Sequence, residues 1–501
     1  MDLTLAAPPR TLPGAPTARG ARAGDRYLVF LGLVLTGYSL FSRGFAYVGV
    51  PPLFIGELTL GVGLVVLARA GRLGPLFQRP TAWLLVGLLG MAVARTLPFL
   101  GTYGLDAPRD AMQIGYGVYA LIVGGLLVAR PQRLVQLLTL YRRYVVIVLS
   151  VIWAVYLAYK IGESSLPKIP WAPQATIFEA KGGDIMVQLC GITLFLVLGL
   201  GNRTPLVMFA LAMNAGIIVV SNRGGMVAYV LGCALGWMLR PPEARSGRLV
   251  YAFLVFVALG LVIGPTVKIN GGGRDISVEQ IWVNVKSVFG QGGEHLDGTK
   301  KWRLEWWEKI YDYTVRGEHF WAGKGFGINL AKEDGFDVVK ELRSPHNGHM
   351  TVLARMGVPG AALWVLLQIA WGLSVLRQWL VARAHERHRW MAVFGVLSAY
   401  WLAFLLNAAF DVYLEGPMGG IWYWTVFGVG MAAVWIHAAH PDTLTDADAP
   451  LDSDAASGPP PAPAWGWGPA APGAPSAPTR SQRRGAPARA PRPQPVPAAR
   501  W

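Results

Sequence analysis

Long apolar runs alternate with short polar breaks along most of the chain. The runs fall at 27–43, 52–69, 81–98, 111–128, 144–160, 184–200, 205–220, 224–240, 249–267, 350–376, 390–407 and 420–438. A helix needs about 20 mostly apolar residues to cross a bilayer core. The pattern therefore predicts an all-α polytopic membrane protein with about twelve transmembrane helices.

One connection breaks the rule of short loops. Residues 268–345 carry twelve Lys or Arg against twelve Asp or Glu, and they mix Trp with charge in KKWRLEWWEKIYDYTVRGEHFWAGKGFGIN. Trp302, Trp306, Ile310 and Tyr313 recur at helical spacing, as do Arg303 and Trp307. That spacing, with Trp favoured at the depth of the headgroups, predicts an amphipathic helix lying on the membrane surface. Gly323, Gly325 and Gly327 would end it. A loop of this length is expected to contain short helices and to serve the function. The chain ends read differently. Residues 1–26 form a basic lead-in, and 439–501 a Pro/Ala-rich tail, acidic first and Arg-rich last. Neither buries enough apolar surface to offset its ordering entropy, so both are expected to be disordered around a membrane domain of 27–438.

The chain is 53% hydrophobic and only 15% charged, which excludes an ordinary soluble enzyme. Its net charge of +16 suggests nucleic acid until the basic residues are placed. They crowd alternate connections, at Arg69, Arg72 and Arg79, at Arg130, Arg133, Arg142 and Arg143, at Arg240, Arg245 and Arg248, and at Arg377, Arg383, Arg387 and Arg389. This is the positive-inside pattern. It puts both termini in the cytoplasm and the 268–345 loop on the extracytoplasmic side, and it needs no nucleic-acid partner. Cys190 and Cys233 both fall inside apolar runs, where a thiol acts as a small apolar side chain.

The ionisable residues of the runs share one leaflet. Glu57, Arg95, Asp184, Arg223, Arg355, Asp411 and Glu415 all lie near extracytoplasmic ends. A single case is explained by snorkelling to the headgroups. Seven on one side, with none halfway, predict a polar basin opening outward beneath the long loop. An ion-coupled transporter would place such groups at the midplane.

The stretch HNGHMTVLARMGVPG gives His346-Asn347, nine residues, then Gly357-x-x-Gly360. This resembles the H-N-x9-G-x-x-G signature of the O-antigen ligase and Wzy polymerase superfamily. SNRGGMV, with Arg223, is similar to that family's Ser-x-Arg turn, although Val227 stands where the family has leucine. WRLEWW followed by GKGFG is similar to its Arg-x-x-x-Trp helix and Gly-x-Gly-Phe-Gly turn, and contains Arg303. The resemblance implies an integral membrane glycosyltransferase at the outer face of the cytoplasmic (inner) membrane. It would move a glycan from a polyprenyl diphosphate donor onto an acceptor hydroxyl of a glycan or lipid.

For such a reaction the diphosphate is already a good leaving group. The useful groups are guanidiniums against developing phosphate charge and a base for the hydroxyl. The resemblance makes His346 the base and assigns Arg223 and Arg303 to the diphosphate. Asn347 would orient or cap the following helix, and Arg343, Arg109 and Arg95 would supply further anion contacts. No metal or other cofactor is called for. His349 makes a His-x-x-His pair with His346, but no carboxylate or Cys joins it in sequence. The ligase reading has a close alternative in a polymerase that uses a lipid-linked repeat as acceptor. A transporter or lipid-glycan flippase is the alternative of another class. The usual two six-span halves of such a protein would be joined by a long central loop, whereas here the sixth and seventh runs are joined by little more than GNRTP.

Overall fold

The computed structural model describes residues 18–162, 165–219, 223–242, 294–336 and 342–445. Helix α1 (Ala18–Ala46) bends where Ser42 leaves helical geometry. A small antiparallel hairpin, β1 (Gly49–Val50) and β2 (Leu53–Phe54), leads into α2 (Ile55–Ala70). Then come α3 (Pro80–Thr96), a 3-10 turn (Leu97–Phe99), the short α4 (Leu100–Tyr103), α5 (Asp106–Gly115), α6 (Val118–Ala129) and the long α7 (Gln132–Gly162). A second hairpin, β3 (Lys168–Ile169) with β4 (Ala172–Thr176), precedes α8 (Gly182–Val197), α9 (Pro205–Val219) and α10 (Arg223–Met238). Within the long loop lie α11 (Glu294–Val315) and α12 (Leu330–Glu333). The chain returns to the bundle through α13 (Gly348–Ala384), α14 (His388–Ala408) and α15 (Pro417–Ala439).

Helices occupy the position of every predicted apolar run except 249–267, which lies outside the described residues. Seven segments are long and apolar enough to span a bilayer: Arg22–Ala46, Pro80–Tyr103, Asp106–Ala129, Gln132–Gly162, Gly348–Ala384, His388–Ala408 and Pro417–Ala439. Helices α2, α8, α9 and α10 have 15 or 16 residues, about 24 Å at 1.5 Å per residue, short of a core about 30 Å thick. The expectation of about twelve crossings thus becomes seven full-length helices and a set of shorter apolar ones among the described residues. The predicted disordered ends fall largely outside them, with two corrections: α1 begins at Ala18, inside the expected 1–26 lead-in, and described structure continues past 439 to Thr445.

Burial sorts centre from rim. The apolar window of α15 is 89% buried and that of Pro80–Tyr103 only 22%, so α15 lies inside the bundle and α3 along its edge. On α13, Val365, Leu366, Ile369, Leu373, Leu376 and Leu380 stay exposed along one outward stripe. Such a face is stable only against hydrocarbon.

The loop helix departs from expectation in a useful way. Trp306 and Ile310 are fully buried, packing with Leu330, Ala331 and Ala354 and flanked by Trp302 and Tyr313. The predicted membrane-facing Trp stripe is therefore the core of the loop, seated on the start of α13. Asp334 ties this core together. Its carboxylate accepts from Trp306 Nε1 at 2.7 Å and from Lys324 Nζ at 2.6 Å, and its carbonyl accepts from Lys309 Nζ at 2.7 Å.

The loop also docks into a break in α13. Gly357 adopts φ 68°, ψ −171° in mid-helix, so nearby backbone groups lose their helical partners. The loop replaces them. Lys324 N–H donates to Ala354 O at 2.8 Å, Gly325 N–H to Arg355 O at 3.0 Å, and Val358 N–H to Phe320 O at 2.8 Å. A Cβ at Gly323, itself at φ 58°, would collide with the Arg355 carbonyl, so a bare backbone is required there. The first glycine of the H-N-x9-G-x-x-G motif thus bends the helix, and it does so to receive the Gly-x-Gly-Phe-Gly turn.

Candidate functional site

His346 sits between Pro345 and Asn347, one residue ahead of the Asn347 cap, with φ 51°. A left-handed conformation is uncommon for a non-glycine residue and marks a position the surroundings hold in place. Two contacts do the holding. The Asn347 side chain accepts from His349 N–H at 3.0 Å and Met350 N–H at 3.2 Å, capping α13. On the other side, Trp307 Nε1 of α11 donates to Pro345 O at 3.0 Å. His346 is half-buried, with Nδ1 3.7 Å from Asp411 Oδ1.

Asp411 lies in the turn between α14 and α15, and that turn is where the candidate residues meet. Burial pushes its carboxyl up, but contact with His346, the Lys181 charge and the Val412 N–H outweigh this and hold it below the usual carboxylate value. Arg303, on the same face of α11 as Trp307, donates from Nη1 to Phe410 O at 3.0 Å. Burial lowers this guanidinium's pKa, and the Asp411 charge opposes the shift. Its Nε is buried without a hydrogen-bond partner. Arg223 begins α10, and its side chain lies outside the described residues. Its backbone is located by the next two residues. A Cβ on Gly224 would meet Phe410 Cβ at 2.8 Å, and one on Gly225 would meet Gly183 Cα at 2.7 Å. Helix α10 therefore starts directly against the Phe410 turn.

The remaining predicted residues gather beside this centre in a second, closed cluster. Arg343 bonds Asp110 at 3.0 Å, Gly327 O at 3.0 Å and Asp106 at 3.3 Å. Arg109 is exposed and pairs with Asp106 at 3.2 Å. Arg95 donates weakly to Gly323 O at 3.4 Å. Buried Arg355 completes the set, 3.0 Å from the same Asp110 oxygen and bonded to Gly325 O and Ile328 O. These guanidiniums are committed to holding the glycine turn against α5. Glu415 lies between the clusters, accepting from Thr351 Oγ1 at 2.7 Å. Burial raises its pKa, against the pull of Thr351, Ser344 and the Arg355 charge.

His349 belongs to neither cluster. Its Nδ1 accepts from Trp364 Nε1 at 3.1 Å and its Nε2 faces Leu405 O at 3.0 Å. Both nitrogens are used inside the bundle, which leaves none for a metal shared with His346. Among the described residues no group of three His, Cys, Asp or Glu side chains is placed to hold a metal ion.

Asp411 and Asp110 were missed as partners from the sequence, although Asp411 was visible as one of the outward charges. Only the folded turn shows that it faces His346. The site now contains a histidine with one nitrogen toward a carboxylate and a guanidinium beside that carboxylate, and the start of α10, where Arg223 stands, adjoins the same turn. Such a set can take a proton from a hydroxyl and hold an anion.

The family model for O-antigen ligase matches residues 189–365. That segment is a member of the O-antigen ligase family, as the three short stretches led one to expect. It includes Arg223, Arg303 and His346 and stops short of Asp411. No curated protein matches the chain.

Proposed function

We propose that this membrane protein is an O-antigen ligase-like glycosyltransferase that moves a glycan from a polyprenyl diphosphate onto an acceptor hydroxyl. The observation that carries the reading is the meeting of His346, Asp411 and Arg303 at one turn, with His346 and Arg303 inside the segment that matches the family. In this reading Asp411 favours the tautomer with hydrogen on Nδ1. Nε2 of His346, with no hydrogen-bond partner among the described residues, then takes the acceptor proton. As the acceptor oxygen bonds to the anomeric carbon, the bond from that carbon to the diphosphate oxygen breaks. The electron pair leaves with the diphosphate, against Arg303 and Arg223. No paired carboxylates are needed, because the leaving group requires no protonation.

The basic residues of alternate connections support an inner-membrane location with cytoplasmic termini and an outward-facing site. The acceptor separates the ligase from the polymerase reading. Glycans accumulating in a deletion strain distinguish them by mass: long unattached polymer for a lost ligase, single lipid-linked repeats for a lost polymerase.

The decisive experiment uses purified protein in detergent with lipid-linked glycan and acceptor. Product should form without a sealed membrane, and His346→Ala should abolish it while the protein stays folded. Uptake of lipid-glycan by vesicles that persists in His346→Ala, with no product from the parent protein, would favour the transporter instead.

A further inference from the structure

The chain from Gly44 to Gly56 carries no Asp, Glu, Lys, Arg or His, yet much of it forms a hairpin rather than a helix. Val48, Val50, Pro51, Pro52 and Leu53 are all exposed, Val50 by 75%. The second hairpin stands beside the first. Trp171, half-exposed in its turn, donates from Nε1 to Tyr47 O at 3.3 Å. Tyr47 in turn packs against Ile169, Ala172 and Ala175 and stands edge-on to Phe54. Hairpins this short are not stable alone. The end of α1 fastens them: Glu179 N–H donates to Phe41 O at 3.2 Å, and a Cβ on Gly44 would collide with the Ile177 carbonyl. The two hairpins are one packed unit with an apolar outer surface.

We propose that this hairpin pair is a membrane wedge, with Val48, Val50, Leu53 and Trp171 immersed in phospholipid where acyl chains meet headgroups, in the leaflet opposite Arg69 and Arg72. By the basic-residue pattern that leaflet is the outer one. Depth identifies lipid as the occupant. From Arg69 back to Ile55, α2 rises about 21 Å, which leaves about 9 Å of a hydrocarbon core about 30 Å thick. From Arg26 to Ala46, α1 rises at most about 30 Å and so reaches the far edge of the same core. The segment that joins the two helices therefore lies in the slab that α2 leaves unfilled.

The neighbouring surface agrees. Leu58, Val62 and Val65 are exposed along α2 at helical spacing, so the hydrocarbon-facing stripe of that helix continues in the chain into Leu53 and Val50. A surface facing water seldom carries such a run, and indole is favoured at the headgroup boundary. Glu57 is the one acid at this depth, and it is satisfied from within. Its carboxylate accepts from Phe54 N–H at 3.2 Å and is hydrogen-bonded to Tyr116, as a carboxylate away from water requires. The wedge thus supplies the apolar thickness that a short helix lacks, which otherwise thins the bilayer around it.

The test uses the full chain with Cys190→Ala and Cys233→Ala, reconstituted in phosphatidylcholine vesicles. Val50→Cys or Leu53→Cys then carries a nitrobenzoxadiazole fluorophore. A spin label near the top of a lipid acyl chain should quench most of the emission at either position, and aqueous iodide little. Glu318→Cys, on the exposed part of the long loop, should show the reverse. Iodide quenching at the hairpin as strong as at the loop would overturn the assignment. So would protection from both quenchers, which would mean that protein covers the surface. A second measurement keeps both cysteines and needs no label. Val50→Asp combined with Leu53→Asp shortens the apolar span, so the bilayer in which thermal unfolding comes latest should shift from dioleoyl towards the thinner dimyristoleoyl phosphatidylcholine. An unshifted optimum would also overturn the wedge.

Discussion

Two charged clusters lie side by side at the same end of the bundle, and they are built to opposite standards. Around Asp110, every acid faces a base at hydrogen-bonding distance: Arg343 and Arg355 both at 3.0 Å, with backbone carbonyls taking other guanidinium hydrogens. Around Asp411 the close contacts are with backbone: Val412 N–H donates to its carboxylate at 2.7 Å, and Arg303 donates to the neighbouring Phe410 carbonyl at 3.0 Å. His346, the facing base, stands 3.7 Å away on a left-handed backbone. The first cluster pairs its charges and fastens the loop. The second has no ion pair at hydrogen-bonding distance among the described residues, so its charges are left for a ligand to engage. Residue types alone do not distinguish them, since both are made of arginine and aspartate; close ion pairing does.

The comparison is attacked most strongly at His346. Replacing it by Ala should reduce transfer by about 10²–10⁴-fold, the scale of general-base catalysis, with unchanged thermal unfolding. A stability loss that accounts for the activity loss would place His346 with the fasteners. The next largest effect belongs to the closed cluster. Asp110→Asn leaves buried Arg355 without its counter-charge, a change that costs about 3–5 kcal/mol in buried pairs. Differential scanning calorimetry in detergent should show it, and the double variant Asp110→Leu, Arg355→Met should recover much of the loss. If the single change were silent, close ion pairing would not be a measure of structural importance here.

A smaller effect is expected at the break in α13. Gly357→Ala forces a side chain into φ 68° and against the Phe320 carbonyl, for about 1–3 kcal/mol. Gly61→Ala on α2 is the control, because its Cβ meets nothing within 4 Å, and it should be neutral or stabilising by roughly 0.5–1 kcal/mol. Equal effects at the two glycines would dismiss the docking role of the break.

The smallest effect concerns pH. The folded protein holds Asp411 below the ordinary carboxylate value, so its contribution to stability is present above the unfolded-state pKa and is lost as pH falls through the lowered one. Melting curves between pH 7 and pH 3 should therefore decline less steeply for Asp411→Asn than for the parent. Parallel declines would mean that the Asp411 charge adds nothing to the fold.

Much of this was legible beforehand. Apolar runs located the described membrane helices, and Asn347 of the motif located the start of α13; the break at Gly357 came from the structure. Arg303 and Trp307 were correctly placed on one face of α11, because i, i+4 spacing is a local property. The other face was misread. The spacing of Trp302, Trp306 and Ile310 shows that a stripe will be buried, but both a bilayer surface and a folded loop bury such a stripe. Leu330 and Ala331, which decide between them, carry no signal of their own. The ion pairs were hidden for a related reason. Asp110 meets Arg343 and Arg355 across more than two hundred residues, and no periodicity spans that distance.

The exchange of hydrogen bonds at Gly357 also bears on motion. An ordinary surface loop swings free by giving up contacts with solvent-facing side chains. Here, lifting residues 320–325 would strand the carbonyls of Ala354 and Arg355 and the amide of Val358 inside the protein. The turn and the helix must therefore open together or not at all. Amide exchange at Lys324 and Gly325 should accordingly be as slow as in the helix they complete, and any gating of the entrance must hinge elsewhere in the chain.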